Sequence, residues 1–384
     1  MTSHKNPASA DNGTTSGPTA AVETPDLRTQ PAFGIIEKQA PGIHIGIVGN
    51  YADTDETRML LTPETCGMLT SAGIKISMEE GAGVDISFSD ETYAEYGVKI
   101  VSREEALKCN TVLSYTPLRQ KDVEKMTSGA TLLCMMERTL FDKQTIQALL
   151  SKKITCGCLD NMYSSQDITI FADIVAEIDG RGAIMYAQES LSYLGGGKGV
   201  LLAGVAGLNP CEVIIIGNGM EAIAAANAAA AAGAKVVLMD NDVSSIQIAR
   251  QSCDPRVELV AIHPRVLTNR VKSADVIITC PTTRPFEFPK SLSSSLKDSV
   301  YVIDLNESHP SISVPRTVTM ALSNVLVYFF NEMAIKENFR GMVITNPGVQ
   351  NGIVTFDGKL TDKLIGSYTG MPSIDIRVMI SSTN

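Results

Sequence analysis

The stretch VIIIGNGMEAIAAANAAAAAGAKVVLMDND, Val213–Asp242, decides the fold of the second half of the chain. It is typical of a buried strand, a glycine turn, an alanine-rich helix and a second strand that ends in acidic residues. A strand, a helical crossover and a further strand are the building unit of a parallel sheet. The stretch therefore predicts a doubly wound α/β domain.

A glycine turn joins the first strand of this stretch to its helix. Gly217-x-Gly219-x-x-Ala222 has the spacing of a dinucleotide-binding turn, and Met220, within the turn, is a further cofactor-binding candidate. The first glycine permits the tight turn, and the second lets the backbone approach a diphosphate at the positive end of the helix. The turn predicts a bound dinucleotide, and the alternative is a doubly wound domain that binds no nucleotide.

Acidic residues flank the turn. Asp240 ends the next strand, 23 residues after Gly217. A carboxylate there can accept hydrogen bonds from both ribose hydroxyls of NAD and repels the 2′-phosphate of NADP, so we expect NAD as the cofactor. Asn241 follows, with a minor adenosine contact at most. Glu221 lies in the first helical turn, where it suits the helix dipole but repels a phosphate unless it points away.

The composition bounds the class of protein. Of 384 residues, 44% are apolar and 19% charged, and the net charge is −10. We expect two globular domains, and neither nucleic acid nor a membrane as partner, because both reward clustered Lys and Arg.

The composition of residues 1–40 predicts a disordered tail, and the lack of an apolar signal segment predicts a cytoplasmic protein. Cys156 and Cys158 are interpreted as reduced, buried thiols, and no metal is expected.

A second series of strands and helices precedes the glycine turn. It begins with HIGIVGNY at residues 44–51 and predicts a parallel sheet covered on both faces. Thr62 is expected to cap one helix, and Ser102 with Glu105 forms a capping box at another. A long helix is predicted over Ile168–Leu194, and a hairpin with Asp-Gly at its turn is predicted near the C-terminus.

Further segments carry a resemblance to a known family. Besides the glycine turn and Asp240, they are ETRMLLTPE (56–64), EEGAGVDISFSDETYAEYG (79–97), AEIDGRGA (176–183), GGGKGVLLAGVAGL (195–208), ADVIITC (274–280) and VPRTVTMALSN (314–324). In these segments the chain resembles the alanine dehydrogenase and transhydrogenase α-subunit family, from about Ile43 to the C-terminus.

The resemblance implies two Rossmann-like, doubly wound α/β domains with a cleft between them, where an amino acid and the nicotinamide of NAD meet. The substrate domain is expected to be discontinuous, over residues 41–172 and 325–384. The NAD-binding domain is expected to occupy residues 173–324. The implied partners are a small amino acid or 2-oxo acid and further copies of the chain, as a dimer or a hexamer.

The resemblance also implies roles for residues on the substrate side. Arg58 matches an arginine that grips the substrate carboxylate, a task that suits the guanidinium fork. A surface arginine before a helix cap is the alternative. Where the family has a substrate-binding lysine the chain has Ser114, with Tyr115 beside it as a possible proton donor. Where the family has its catalytic histidine, the chain has Glu137.

The nicotinamide side departs from the family as well. Asp304 matches the first acid of a family stretch near the nicotinamide, but Ser308 replaces the second, and a loop that follows in the family is deleted. Oxidative deamination needs an acid/base group. The candidates are Glu137, Glu307 and His309, of which His309 titrates nearest neutrality. The alternatives are a plain loop histidine at position 309 and, for Glu137, only an ion pair with Arg138 at a strand end.

These observations favour an NAD-dependent oxidoreductase that resembles alanine dehydrogenase, with an altered active site. Its expected reaction is reversible oxidative deamination or imine reduction of a small amino acid or 2-oxo acid. The alternative is a catalytically inactive NAD-binding pseudoenzyme or partner subunit, which the missing lysine and histidine favour. A transhydrogenase α-subunit is a weaker alternative, because that machine needs membrane partners.

Overall fold

The fold is described from a computed structural model that covers residues 42–135, 140–164, 168–282 and 300–381, with positions 289, 292 and 296. The predicted tail at residues 1–40 lies outside the described residues, as does Glu137. Everything described belongs to one compact unit, Ile36–Asn384.

The first half of the chain and the C-terminal hairpin build one sheet together. Its strands are β1 (His44–Ile47), β2 (Lys75–Glu79), β3 (Lys99–Val101), β4 (Thr111–Ser114), β5 (Thr131–Cys134), β6 (Thr155–Cys158), β12 (Ile353–Phe356) and β13 (Lys359–Leu360). Their order is β3-β2-β1-β4-β5-β6-β12-β13. The first six strands are parallel, and the hairpin joins β6 antiparallel.

The stretch Val213–Asp242 lies in a second sheet, in which all strands are parallel. Its strands are β7 (Glu212–Ile216), β8 (Lys235–Asp240), β9 (Glu258–Ala261), β10 (Val276–Thr279) and β11 (Tyr301–Asp304). Their order is β9-β8-β7-β10-β11. In both sheets the chain starts in the middle, winds outward for three strands and then continues on the other side. The predicted doubly wound α/β class is confirmed.

Helices connect the strands and cover the sheets. They are α1 (Pro63–Ser71), α2 (Asp90–Glu95), α3 (Arg103–Leu107), α4 (Gln120–Val123), α5 (Lys143–Ser151), α6 (Ile170–Leu191), α7 (Met220–Ala231), α8 (Val243–Ser252), α9 (Pro264–Val271), α10 (Pro315–Ile335), α11 (Phe339–Thr345), α12 (Pro347–Gln350), α13 (Lys363–Thr369) and α14 (Ile376–Ser381). The expected long helix is present as α6, but it ends three residues early because Ser192 is extended.

Local sequence signals set several boundaries as expected. The Thr62 hydroxyl accepts the N–H of Thr65 at the start of α1. Ser102 and Glu105 form the reciprocal capping box of α3, at 3.3 and 3.2 Å. These caps satisfy N–H groups that have no partner inside the helix, so short polar side chains fix the helix starts.

Helix α6 passes from one sheet to the other and packs closely on two neighbours. A methyl group added to Gly180 would collide with the backbone carbonyl of Glu221 in α7. One added to Gly182 would lie 2.7 Å from Cβ of Pro310, in the 3₁₀ turn that precedes α10. The two glycines therefore allow α6 to form a wall that both sheets share.

Apolar side chains fill both faces of each sheet. Within the described residues one helix, α10, is long and apolar enough to cross a membrane by length and composition alone. The core helix of a soluble protein passes the same test. Leu322, Leu326 and Phe330 of α10 are completely buried in the core beside the first sheet.

Candidate active site

The carboxyl ends of the two sheets face one cavity of about 560 Å³. It lies where strand order reverses, beyond β1 and β4 in one sheet and β7 and β10 in the other, which is where doubly wound sheets bind ligands. The first sheet contributes Glu56, Arg58, Tyr115, Thr116 and Asp160, and the second contributes Glu221, Pro281, Leu305, Asn306 and His309. Helix α6 closes one side with Ala172, Val175, Ala176 and Asp179.

Arg58 is a buried cation that is already partly paired. Its Nε and Nη2 each donate to Glu56 at 2.7 Å, and Nη1 donates to the Ser311 hydroxyl at 2.7 Å. Arg58 is 6% exposed. Although burial opposes its charge, Glu56 holds the pKa of Arg58 above its ordinary value. A guanidinium has five N–H donors, so two remain for a ligand.

Tyr115 lies under this guanidinium. The Arg58 carbon Cζ is 4.5 Å from the ring centroid, a cation–π geometry. Burial raises the pKa of the Tyr115 hydroxyl, against the influence of Arg58, so the hydroxyl is protonated at neutral pH. The preceding Ser114 is 2% exposed and does not line the cavity. The structure therefore brings Tyr115, and not Ser114, to Arg58.

His309 faces the same cavity from the second sheet. Its Nδ1 lies 3.4 Å from Oδ2 of Asp179, and Oδ1 of Asp179 accepts the N–H of Ser311 at 2.8 Å. Glu307 is exposed and does not line the cavity. Of the three acid/base candidates, His309 alone is a described residue of the cavity wall.

A smaller cavity of about 340 Å³ adjoins the glycine turn, lined by Gly219, Met220 and Glu221 among others. Gly217 has a φ of +133°, which favours glycine, and an added methyl would lie 2.8 Å from Cβ of Cys280. Ala222 is fully buried against the sheet. Gly219 precedes α7 without a side-chain cap, so the first N–H groups of the helix lack that partner. The turn has the shape that a diphosphate needs.

Asp240 ends β8 beside the turn and is completely buried. Its Oδ1 accepts the N–H of Asp242 at 2.6 Å, whereas Oδ2 has no hydrogen-bond partner among the described residues. Burial raises the pKa of this carboxyl. Because a ribose hydroxyl would supply the missing donor, the residues at this turn fit a dinucleotide. Asn241, partly buried, follows Asp240.

Glu221 does not point away from the turn. A methyl group on Gly219 would collide with Oε2 of Glu221, so the carboxylate lies over the place where the backbone would approach a diphosphate. Burial raises the pKa of Glu221, and Asp179 and Asp173 add to the shift. A dinucleotide can occupy the turn only if this side chain moves aside.

The sequence did not single out three carboxylates of the larger cavity, Glu56, Asp160 and Asp179. Asp160 follows the end of β6, a position that the carboxyl-end rule for parallel strands could have flagged. Glu56 and Asp179 belong to the segments ETRMLLTPE and AEIDGRGA, which carry the family resemblance, but that resemblance gave neither of them a role. Within the described part of the chain, no group of three His, Cys, Asp or Glu could hold a metal ion.

The fold and the cavity define a two-sheet α/β protein whose two switch points face each other across a cleft. Residues 47–175 match the alanine dehydrogenase/PNT N-terminal domain, and residues 183–290 match its C-terminal domain. The chain therefore belongs to the alanine dehydrogenase/PNT family, whose alanine dehydrogenases are oxidoreductases.

Relatives and solved structures agree with this family. The chain is 25% identical to the alanine dehydrogenase of Methanococcus maripaludis over 83% of this chain and 94% of that protein. It is 24% identical to the alanine dehydrogenase of Mycolicibacterium smegmatis over 84% and 95%. A solved L-alanine dehydrogenase superposes with a TM-score of 0.76 at 21% identity, covering 85% of this chain and 98% of that one. A solved transhydrogenase from Sinorhizobium meliloti superposes with a TM-score of 0.68 at 16% identity, covering 84% of this chain and 99% of that one.

Proposed function

We propose that the chain is an NAD-dependent oxidoreductase that acts on a small amino acid or 2-oxo acid in the larger cavity. One observation carries the proposal: Ala172, Ala176, Glu221 and Pro281 line both cavities. A ligand that begins at the glycine turn can therefore extend along this shared wall towards Arg58. A cytoplasmic location and a homo-oligomer remain predictions.

On the coenzyme side, Gly217 and Gly219 would admit the diphosphate, and Asp240 would accept the ribose hydroxyls. Met220 and Ala222 would support the turn from α7, and Asn241 would flank the adenosine. A carboxylate at position 240 favours NAD over NADP. When bound, the nicotinamide supplies the hydride acceptor or donor.

On the substrate side, Arg58 would hold a carboxylate with its two remaining N–H groups. Glu56 and Ser311 fix the guanidinium plane in advance, so little side-chain freedom is lost on binding.

Proton transfer falls to His309, and Tyr115 serves as a hydrogen-bond donor beside it. Asp179 lies beside Nδ1 of His309 and stabilises a positive imidazole, so Nε2 can take and return a proton. Tyr115 stays protonated because burial raises its pKa, so it acts as a hydrogen-bond donor to the substrate. Together they would take the place of the lysine and histidine that the family has at the Ser114 and Glu137 positions.

Oxidation of NADH at 340 nm, with ammonium and a panel of 2-oxo acids, tests the proposal. Arg58→Lys keeps the charge but loses the fork, so we expect turnover to fall about 100-fold with NADH affinity unchanged. Arg181→Lys is the matched control, since Arg181 forms an exposed pair with Glu177. If NADH binds and neither 2-oxo acids nor amino acids alter its signal, the proposal is wrong.

A second candidate is an NAD-binding protein without catalysis. The residue at position 114, where the resemblance implies a substrate-binding lysine, favours this candidate. Ser114 is 2% exposed, and its hydroxyl has no hydrogen-bond partner among the described residues. The double variant Ser114→Lys with Glu137→His separates the candidates. It should raise turnover from nothing in a pseudoenzyme and damage an existing activity in a retuned enzyme.

A further inference from the structure

The first turn of α7 contains a carboxylate in the place that a dinucleotide phosphate would take. Oε2 of Glu221 covers Gly219, and the backbone N–H of Glu221 itself favours the charged form of the carboxylate. The described residues form no ion pair with Glu221. The side chain is partly buried and lines both cavities.

The surroundings of Glu221 are negative. Burial is the main cause that raises the pKa of Glu221; the charges of Asp179 and Asp173 in α6 raise it further, whereas His309, which follows β11, lowers it. Cys280, which follows β10, is neutral because burial holds the pKa of its thiol far above the ordinary value. A diphosphate arriving at Gly219 adds further negative charge, and like charges at this distance oppose binding strongly.

We infer that Glu221 competes with the coenzyme diphosphate for the α7 turn, so that coenzyme binding takes up a proton at this residue. The inference rests on the proposed coenzyme site and assigns a further role to one residue in it. Protonated Glu221 can turn away from Gly219 into the larger cavity without charge repulsion. Ionised Glu221 must leave the helix N-terminus, where the dipole favours it, and approach Asp179.

The direction of the pH effect follows from proton linkage. Coenzyme raises the affinity of Glu221 for a proton, so the proton raises the affinity for coenzyme. Affinity for NADH should therefore rise as pH falls, by at most about tenfold per pH unit for one proton. A neutral isostere at position 221 removes the charge repulsion and with it the pH dependence.

Titration of NADH into the purified full-length protein between pH 6 and 9, followed by nucleotide fluorescence, tests the inference. We expect Glu221→Gln to bind NADH about 10- to 100-fold more tightly than the unmodified protein at pH 8. Its affinity should be nearly constant across the range, whereas that of the unmodified protein falls with rising pH. Glu189→Gln removes the same charge from an exposed position on α6 and should change neither property.

Each other outcome decides against the inference. Equal affinities of Glu221→Gln and the unmodified protein overturn it, and so does an equal gain in Glu189→Gln. A pH dependence that persists in Glu221→Gln assigns the proton to His309 instead. Should Glu221→Gln fail to fold, a flat pH series of the unmodified protein still overturns the inference. If no form binds NADH or NAD⁺, the proposed coenzyme site itself fails, an outcome distinct from binding without a Glu221 effect.

Discussion

The two sides of the cleft are fixed by different kinds of interaction. On the α7 side, the backbone conformation and the close packing require glycine: Gly217 has a positive φ and lies against Cys280. On the first-sheet side, the arrangement rests on side chains, with Arg58 held by Glu56 and stacked on Tyr115. A backbone requirement admits only glycine, whereas side chains at a strand end can be exchanged without altering the sheet. The turn is therefore constrained by backbone geometry, whereas the substrate side can change its side chains while the fold stays the same.

The largest effect is expected from a substitution in the glycine turn, on the α7 side of the cleft. Gly217→Ala adds a methyl group 2.8 Å from Cys280 at a positive φ. We expect NADH affinity to fall roughly 100-fold and the unfolding free energy by about 1–3 kcal/mol, since both strain and collision act there. Gly207→Ala is the matched control, because Gly207 has a φ of +86° but open space around it. It should lower stability without changing NADH affinity, as calorimetry and fluorescence titration would report.

Removing the carboxylate that holds Arg58 should lower stability as well as activity. Glu56→Gln leaves the buried Arg58 without its carboxylate, with side-chain exposures of 8% and 10% in the pair. Loss of one partner of a buried pair costs about 3–5 kcal/mol, and urea denaturation should show most of this. Glu177→Gln breaks an exposed Arg–Glu pair in α6 and should cost under about 1 kcal/mol. Equal losses in the two variants would show that Arg58 is not held by Glu56.

A third variant should separate coenzyme binding from stability. Asp240→Asn removes a charge from a buried carboxyl, and we expect NADH affinity to fall about 10- to 100-fold because hydrogen bonds from ribose to a charged acceptor are lost. Because burial raises the pKa of Asp240, its ionised form weakens the folded state above that pKa. The Asn variant should therefore melt at a higher temperature at pH 8, with the gain vanishing near pH 4.

The smallest effect should come from a single oxygen atom. The Tyr115 hydroxyl makes no hydrogen bond with the described residues, so Tyr115→Phe should leave the melting temperature unchanged within about 1 °C. If the hydroxyl donates to substrate, turnover falls about tenfold while NADH affinity stays constant. Tyr93→Phe provides the contrast, since that buried hydroxyl donates to the carbonyl of Leu61 at 2.8 Å and its loss should lower stability alone.

Much of the fold could be predicted because local signals and tertiary structure agree. The caps at Thr62 and Ser102, the β7–α7–β8 unit and the C-terminal hairpin are confirmed. The family resemblance placed the hairpin with the first half of the chain, but its antiparallel pairing with β6, almost two hundred residues earlier, could not be predicted. Pairing between distant strands depends on packing that no local pattern encodes.

The candidate site was predictable where a residue follows a strand end or a motif. Arg58, Tyr115 and His309 line one cavity, as a shared site requires, whereas Ser114 and Glu307 do not line it. The contact between Asp179 and His309 could not be predicted, because Asp179 lies in the middle of a helix and only the packing of α6 brings it to His309. The domain boundaries and the roles of all these residues remain predictions.

The sequence by itself determined the doubly wound class, the glycine turn and the acid at the end of β8, because strand and helix periods and glycine spacing act over short distances. Tertiary structure alone decided the charge arrangement of the cleft. It placed Glu56 on Arg58, Asp179 beside His309 and the Glu221 carboxylate over Gly219. Electrostatic contacts depend on distances through space between side chains on different elements, and a linear pattern does not contain those distances.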